Sequence, residues 1–100
     1  MNIEVRKEQN KITLCLDGWL DTLSSPQLGE EVEKIKDTTA LILDFEKVEY
    51  IASSGLRQVV AAHNKAKEQK ADFSVINVGT ETMNIFKLTG LDKKIKIIEK

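Results

Sequence analysis

The sequence has very few of the residues that build disulfides and metal sites: one cysteine and one histidine among 100 residues. A single cysteine cannot close an internal disulfide, and Cys15 lies within an alternating strand pattern. We therefore expect a structural cysteine in a protein of the reducing cytoplasm. One cysteine with one histidine also excludes the familiar zinc sites, and we expect neither a metal nor a cofactor.

The chain also lacks a long apolar run and an excess of charge of either sign. No stretch approaches the roughly 20 apolar residues that a membrane-spanning helix needs, and no signal-peptide core opens the sequence. Fifteen basic and sixteen acidic residues give a formal net charge of −1. Such a balance offers no electrostatic footprint for nucleic acid or an anionic membrane. We expect residues 1–100 to form one monomeric domain that binds neither nucleic acid nor an anionic membrane.

Apolar residues recur with strand and helix periods that predict the order β-β-α-β-α-β-α-β. An opening hairpin followed by helical crossovers predicts a mixed α/β sheet with helices packed on it. The continuous apolar run at residues 40–45 is typical of a central strand covered on both faces. The predicted strands lie at residues 3–5, 12–16, 40–51, 73–76 and 95–98, and the predicted helices lie at residues 25–36, 53–70 and 80–89.

Several polar residues are predicted to mark where these elements begin and end. We expect Ser25 to cap the first helix with Pro26 as its first residue, and Thr80 to cap the third. Gly90 fits the position just after a helix C-terminus. The second strand is expected to stop at Asp17-Gly18, which leaves residues 18–25 in a loop.

A strand gives way to a helix at Ala52-Ser53-Ser54-Gly55-Leu56. Free backbone N–H groups and the positive end of the helix dipole meet there, so a hydroxyl could cap the helix and a phosphate would be favoured. A hydrolase with His63 as the base is excluded, because nine or ten helical residues separate it from the serines by roughly 14–15 Å. We expect His63 at the border of the packed face, and no catalytic residue.

Four short segments follow one another along the chain: Gly18-Trp19-Leu20-Asp21, Ser25-Pro26-Gln27-Leu28, Ala52-Ser53-Ser54-Gly55-Leu56 and Leu88-Thr89-Gly90-Leu91-Asp92. Together they resemble the STAS domains, and among these the small bacterial anti-sigma factor antagonists. The resemblance covers essentially the whole chain and implies a STAS-like mixed sheet. In that family the junction is usually Asp-Ser-[Ser/Thr]-Gly-Leu, with Ala52 here in place of the aspartate, and Trp19 stands where a glutamate is common.

The resemblance implies a phosphorylation site at Ser53, with Ser54 as second choice and as a neighbour that helps form the cap. The unphosphorylated protein would bind an anti-sigma factor that is a serine kinase carrying ATP or ADP, and so release a sigma factor. That kinase would phosphorylate Ser53, and a phosphatase would reverse the modification. The implied partner-binding residues are Trp19, Asp21, Ser53, Ser54, Gly55 and Arg57.

Two other functions remain open at this point. A STAS subunit of an ABC-type lipid-transport complex would use the same surface without phosphorylation, and Ala52 keeps that alternative in view. A scaffold module of a larger sensory assembly is the other. Trp19 itself could either cap the end of the sheet or contact a partner. Asp21 could likewise be a turn residue or a polar contact.

Overall fold

A computed structural model describes Met1–Lys100 and confirms the predicted order of strands and helices. The opening strands form a hairpin, and each later strand follows a helix. The elements are β1 (Asn2–Glu8), β2 (Lys11–Leu20), α1 (Ser25–Glu33), β3 (Ala40–Ile51), α2 (Ser53–Glu68), β4 (Asp72–Val78), α3 (Thr80–Thr89), a 3-10 turn (Leu91–Lys93) and β5 (Lys96–Glu99).

The sheet has five strands in the order β1-β2-β3-β4-β5. A tight turn at Gln9-Asn10 makes β1 and β2 antiparallel. The remaining neighbours are parallel because a helical crossover joins each pair. The predicted mixed sheet is therefore confirmed.

The core lies between one face of this sheet and the helices. In β3, Leu41, Leu43 and Phe45 are buried, whereas the alternate residues Ile42 and Asp44 are only partly buried. The prediction that β3 is covered on both faces is thus wrong. Successive right-handed crossovers that advance in one direction along a sheet put every helix on the same face. The other face, which we call the open face, carries no helix.

The N-cap residues of α1 and α3 each lie one residue before the predicted ones. Ser24, not Ser25, precedes α1, so Ser25 and Pro26 are its first two residues. Gly79, not Thr80, precedes α3, and neither cap residue makes a side-chain cap hydrogen bond. Thr80 Oγ1 instead donates to Glu99 of β5. The backbone of Gly79 is extended, and α3 begins after it without a capping hydroxyl.

Two helix ends fall earlier than predicted, and one is confirmed. The first helix ends at Glu33 rather than near Lys36, because the Lys34 and Ile35 amides donate three residues back and tighten the last turn. The second ends at Glu68. Gly90 has φ +76°, as the predicted position after α3 requires.

The single histidine and the single cysteine occupy structural positions. His63 is half-buried and packs against Phe73 with ring centroids 5.5 Å apart, which confirms its place at the border of the core. Cys15 is partly buried on the open face, and burial raises the pKa of its thiol. None of the helices combines the length and the apolar character needed to cross a membrane.

Two leucines at opposite extremes of exposure test this packing. Leu28 is 0% exposed in α1, whereas Leu23 is 92% exposed in the preceding turn. Leu28→Ala should lower the free energy of unfolding by about 2–5 kcal/mol, because it leaves a cavity in the core. Leu23→Ala should change it by no more than about 0.5 kcal/mol. Urea denaturation of both variants measures the difference, and equal losses would contradict the assignment of the core.

Candidate functional site

The candidate site lies where β2 and β3 end side by side. Leu20 pairs with Ile51 at the ends of the two strands. The Ala52 amide then donates to the Leu20 carbonyl at 2.9 Å. The turn after β2 and the start of α2 are therefore neighbours in the fold, although about thirty residues separate them in the sequence.

Gly55 allows the two segments to approach this closely. A Cβ atom at position 55 would lie 2.7 Å from the Leu20 carbonyl oxygen and 2.9 Å from Cγ1 of Ile51. Real Cβ atoms do not tolerate such contacts with backbone, so a side chain here would push α2 away from β2. Gly55 is buried, and its part in the site is to permit this contact.

Asp21 organises the turn that connects β2 to α1. Its Oδ1 atom accepts from the Leu23 amide at 3.1 Å and from the Ser24 amide at 3.0 Å. The Ser24 hydroxyl also lies 3.0 Å from Oδ1. These bonds, chiefly that from the Ser24 amide, lower the pKa of Asp21. Of the two roles considered for Asp21, the structure supports a turn residue.

The two serines begin α2 but do not cap it. Ala52 occupies the N-cap position, and no side chain caps the helix. Ser53 is the exposed first residue. Ser54 is half-buried, and its hydroxyl lies 3.4 Å from those of both Thr22 and Ser25. The expectation that Ser54 helps form the cap is therefore wrong, because its hydroxyl faces the β2–α1 turn rather than the free helix amides.

Trp19 belongs to β2 rather than to a loop. The strand continues to Leu20 through irregular pairing on either side of Gly18, whose φ of +115° suits only glycine. Trp19 is 56% exposed, so it has no core role. Its ring packs on Tyr50 with centroids 5.3 Å apart, and Nε1 donates to Glu49 at 3.2 Å.

The structure adds residues that the sequence patterns did not single out. Tyr50 and Glu49 flank Trp19 because β2 and β3 are parallel neighbours, and a predicted register between these strands could have found them. Thr22 also belongs to the site, because its hydroxyl lies 3.4 Å from that of Ser54. Arg57 is exposed in the same first turns of α2 that Ser53 begins.

Ser53, Arg57 and Trp19 are exposed, so the site is presented at the molecular surface. Two depressions lie on the open face, one beside Cys15 and Asp44 and the other beside Ile42 and Ser74. Neither is lined by Ser53, by Ser54 or by the β2–α1 turn. The site offers hydroxyls, exposed aromatic rings and free helix amides, and no base lies beside its hydroxyls. Such a surface suits recognition of a macromolecule. It also suits binding of a phosphate better than catalysis.

Two glycines near α1 and α2 provide a matched test of the close approach. Gly55→Ala should lower the free energy of unfolding by about 1–3 kcal/mol, because the new methyl meets backbone. Gly29→Ala in α1 is the control. There the Cβ would lie 2.9 Å from Oε1 of Gln58, the end of a flexible side chain that can move. Alanine is favoured over glycine in helices by up to about 1 kcal/mol, so Gly29→Ala should be neutral or stabilising. Equal losses in chemical denaturation would refute the steric role of Gly55.

The lowered pKa of Asp21 predicts a pH dependence of stability. A carboxyl whose pKa is lower folded than unfolded stabilises the protein fully above its unfolded value of about 3.9, and this stabilisation is lost as pH falls through the folded value. Asp21→Asn should therefore be less stable than wild type at neutral pH, and the difference should shrink on acidification below about pH 4. Denaturation midpoints across this pH range measure it. A difference that stays constant with pH would contradict the bonded carboxylate.

Comparison with known proteins agrees with this geometry. The profile of the STAS domain matches residues 2–100. The anti-sigma-B factor antagonist of Bacillus subtilis is 28% identical over 101 residues, covering 100% of this chain and 93% of the relative. The anti-sigma-F factor antagonist RsfB of Mycobacterium tuberculosis is 27% identical over 99 residues, covering 97% and 80%.

The similarity extends to three dimensions. The crystal structure of an anti-sigma factor antagonist from Mycobacterium paratuberculosis superposes with a TM-score of 0.87 at 25% identity, covering 99% of this chain and 86% of that one. The profile matches nearly the full length of this chain, and the relatives share its arrangement of sheet and helices, so this chain belongs to the STAS domain family.

Proposed function

We propose that this protein is an anti-sigma factor antagonist whose binding is switched by phosphorylation of Ser53. The partner is an anti-sigma factor that is also a serine kinase and brings its own ATP. The unphosphorylated form binds this partner in the cytoplasm and frees a sigma factor. The observation that carries the proposal is the exposed position of Ser53 as first residue of α2, in a chain whose relatives are named anti-sigma factor antagonists.

The helix start can hold a phosphate without refolding. Phosphoserine carries about −1.5 to −2 charge at neutral pH. The first amides of α2 have no partners within the helix and present the positive end of its dipole. Ser53 is exposed, so the added group displaces no packed side chain. The phosphorylated and unphosphorylated proteins should therefore have the same fold.

The same phosphate would act strongly on a docked partner. An interface that packs against a neutral hydroxyl must desolvate the dianion, and an unpaired buried charge costs several kcal/mol. Loss of binding therefore follows from charge and bulk at one position. A phosphatase that removes the group restores the neutral surface. This chain supplies the switch, and its partners supply the chemistry of transfer and hydrolysis.

The remaining site residues contribute shape and charge. The exposed aromatic rings of Trp19 and Tyr50 form an apolar contact surface, which is a common source of affinity in interfaces. Arg57 is exposed one helical turn after Ser53, so it adds a positive charge to the same face of α2. Asp21 acts through the turn that it organises, and so presents Thr22 and Ser25 to Ser54.

One feature favours a second candidate function. Ala52 leaves the N-cap of α2 without the carboxylate that the resemblance associates with the phosphorylated serine. A kinase that reads this carboxylate would not modify the chain. The protein would then bind its partner constitutively, as a STAS subunit of an ABC-type lipid-transport complex would. Phosphorylation by the cognate kinase separates the two functions.

Phosphorylation should occur on Ser53. Incubation with the anti-sigma factor kinase from the same genome and ATP, followed by mass spectrometry, should give one phosphate that Ser53→Ala abolishes. Ser54→Ala is the matched control and should keep the phosphate, because the Ser54 hydroxyl faces Thr22 and Ser25. Phosphate on Ser54 alone would overturn the assignment. Tight binding without any phosphate would favour the second function.

Trp19 should contribute to affinity more than to stability. Trp19→Ala should weaken binding to the anti-sigma factor by more than about 1 kcal/mol, as expected of an interface tryptophan. It should lower stability by no more than about 1.5 kcal/mol, the scale of one aromatic pair. Leu88→Ala is the control, because Leu88 is 88% exposed on α3. For both variants, calorimetric titration measures the affinity and thermal melting measures the stability. Equal effects on affinity would refute the aromatic contact.

A further inference from the structure

The first strand is a regular edge strand with free hydrogen-bonding groups. It pairs with β2 without interruption over all seven residues, and no strand covers its other side. Glu8 and Lys11 flank the two-residue turn and so form a hydrogen-bonded pair. Because such pairs alternate along antiparallel strands, Ile3, Val5 and Lys7 direct their N–H and C=O groups outward.

We propose that β1 pairs antiparallel with β1 of a second copy of this chain, about a two-fold axis at Val5. In this register Val5 meets Val5 of the second copy, and Ile3 meets Lys7 in both directions. These are three hydrogen-bonded pairs that each exchange two bonds and use every outward group of the three residues. The two sheets become one continuous sheet, and the exposed Val5 side chains, each 49% accessible in the single chain, cover one another.

The charges on β1 select this register. Glu4 and Arg6 form an exposed ion pair at 2.7 Å within one strand. They lie on either side of Val5, the residue on the proposed two-fold axis. Glu4 of each copy then faces Arg6 of the other, so the four charges alternate in sign. A shift to either adjacent register sets Glu4 against Glu4 or Arg6 against Arg6, and like charges directly opposite are destabilising.

The opposite edge of the sheet is less suited to pairing. Strand β5 has four residues, and its pairing with β4 is irregular between Val75 and Val78. Bulges and short strands are two of the devices that protect sheet edges, and β1 has neither; its charged side chains are a third such device, which oppose pairing unless each meets its opposite. The β1 edge also lies on the far side of β2 from β3. No residue of β1 belongs to the candidate site at the β2–β3 ends, so failure of the dimer would leave the proposed function untouched.

Charge reversal tests the dimer. Sedimentation velocity of the full chain should show reversible dimerisation as concentration rises toward about 1 mM. Glu4→Arg and Arg6→Glu should each weaken dimerisation by about tenfold or more, because each creates like-charge pairs. An equimolar mixture of the two variants should recover it as a heterodimer, since every charge then meets its opposite. A monomeric wild type, or single variants that dimerise as well as wild type, would overturn the proposal.

Cross-linking tests the register. In a Cys15→Ser background, Val5→Cys should form an interchain disulfide on oxidation, because paired Cα atoms about 5.5 Å apart lie within disulfide range. Lys7→Cys is the control, since the two copies of residue 7 lie four residues apart along the strands, about 14 Å. Circular dichroism checks that both variants are folded. Equal cross-linking of the two variants would mean random collision and would overturn the register.

Discussion

The close approach of Leu20 to Gly55 is the contact on which the candidate site depends. The Leu20 carbonyl accepts from Ala52, and no Cβ atom fits between β2 and the first turn of α2. This contact sets the β2–α1 turn against the serines. Loss of it would separate Ser53, Ser54 and Arg57 from the β2–α1 turn, although none of them is the glycine that permits the contact. A buried glycine thus determines the geometry of an exposed surface.

A surface held in this way needs no rearrangement to bind or to release a partner. Asp21 fixes the turn through backbone amides, and Ser54 joins that turn to α2 through two hydroxyls. The exposed Ser53 hydroxyl takes no part in these bonds. Preorganisation lowers the entropic cost of docking, and in the proposed switch a charge added at Ser53 would act directly on the partner. A local electrostatic change would then be sufficient.

The order of the elements and the position of the serine junction could be predicted from apolar periodicity, because each segment buries one stripe or one face. That helices cover only one face of β3 could not be predicted in this way, because it follows from the direction in which successive crossovers advance along the sheet. The place of Trp19 in β2 depends on irregular pairing around Gly18, which no local pattern marks. The absence of a side-chain cap on α2 could not be predicted, because serines at a helix start usually cap the helix. Here the Ser54 hydroxyl instead contacts the hydroxyls of Thr22 and Ser25.

In the proposed switch, phosphate at Ser53 changes a surface and leaves the fold intact. Protein with phosphoserine incorporated genetically at position 53 allows a test without the kinase. Backbone amide chemical shifts of this protein and of the unmodified chain should differ only around the β2–α1 turn and the first turn of α2, and affinity for the anti-sigma factor should fall. Shift changes spread through β4, α3 and β5, or an unchanged affinity, would contradict a switch confined to the surface.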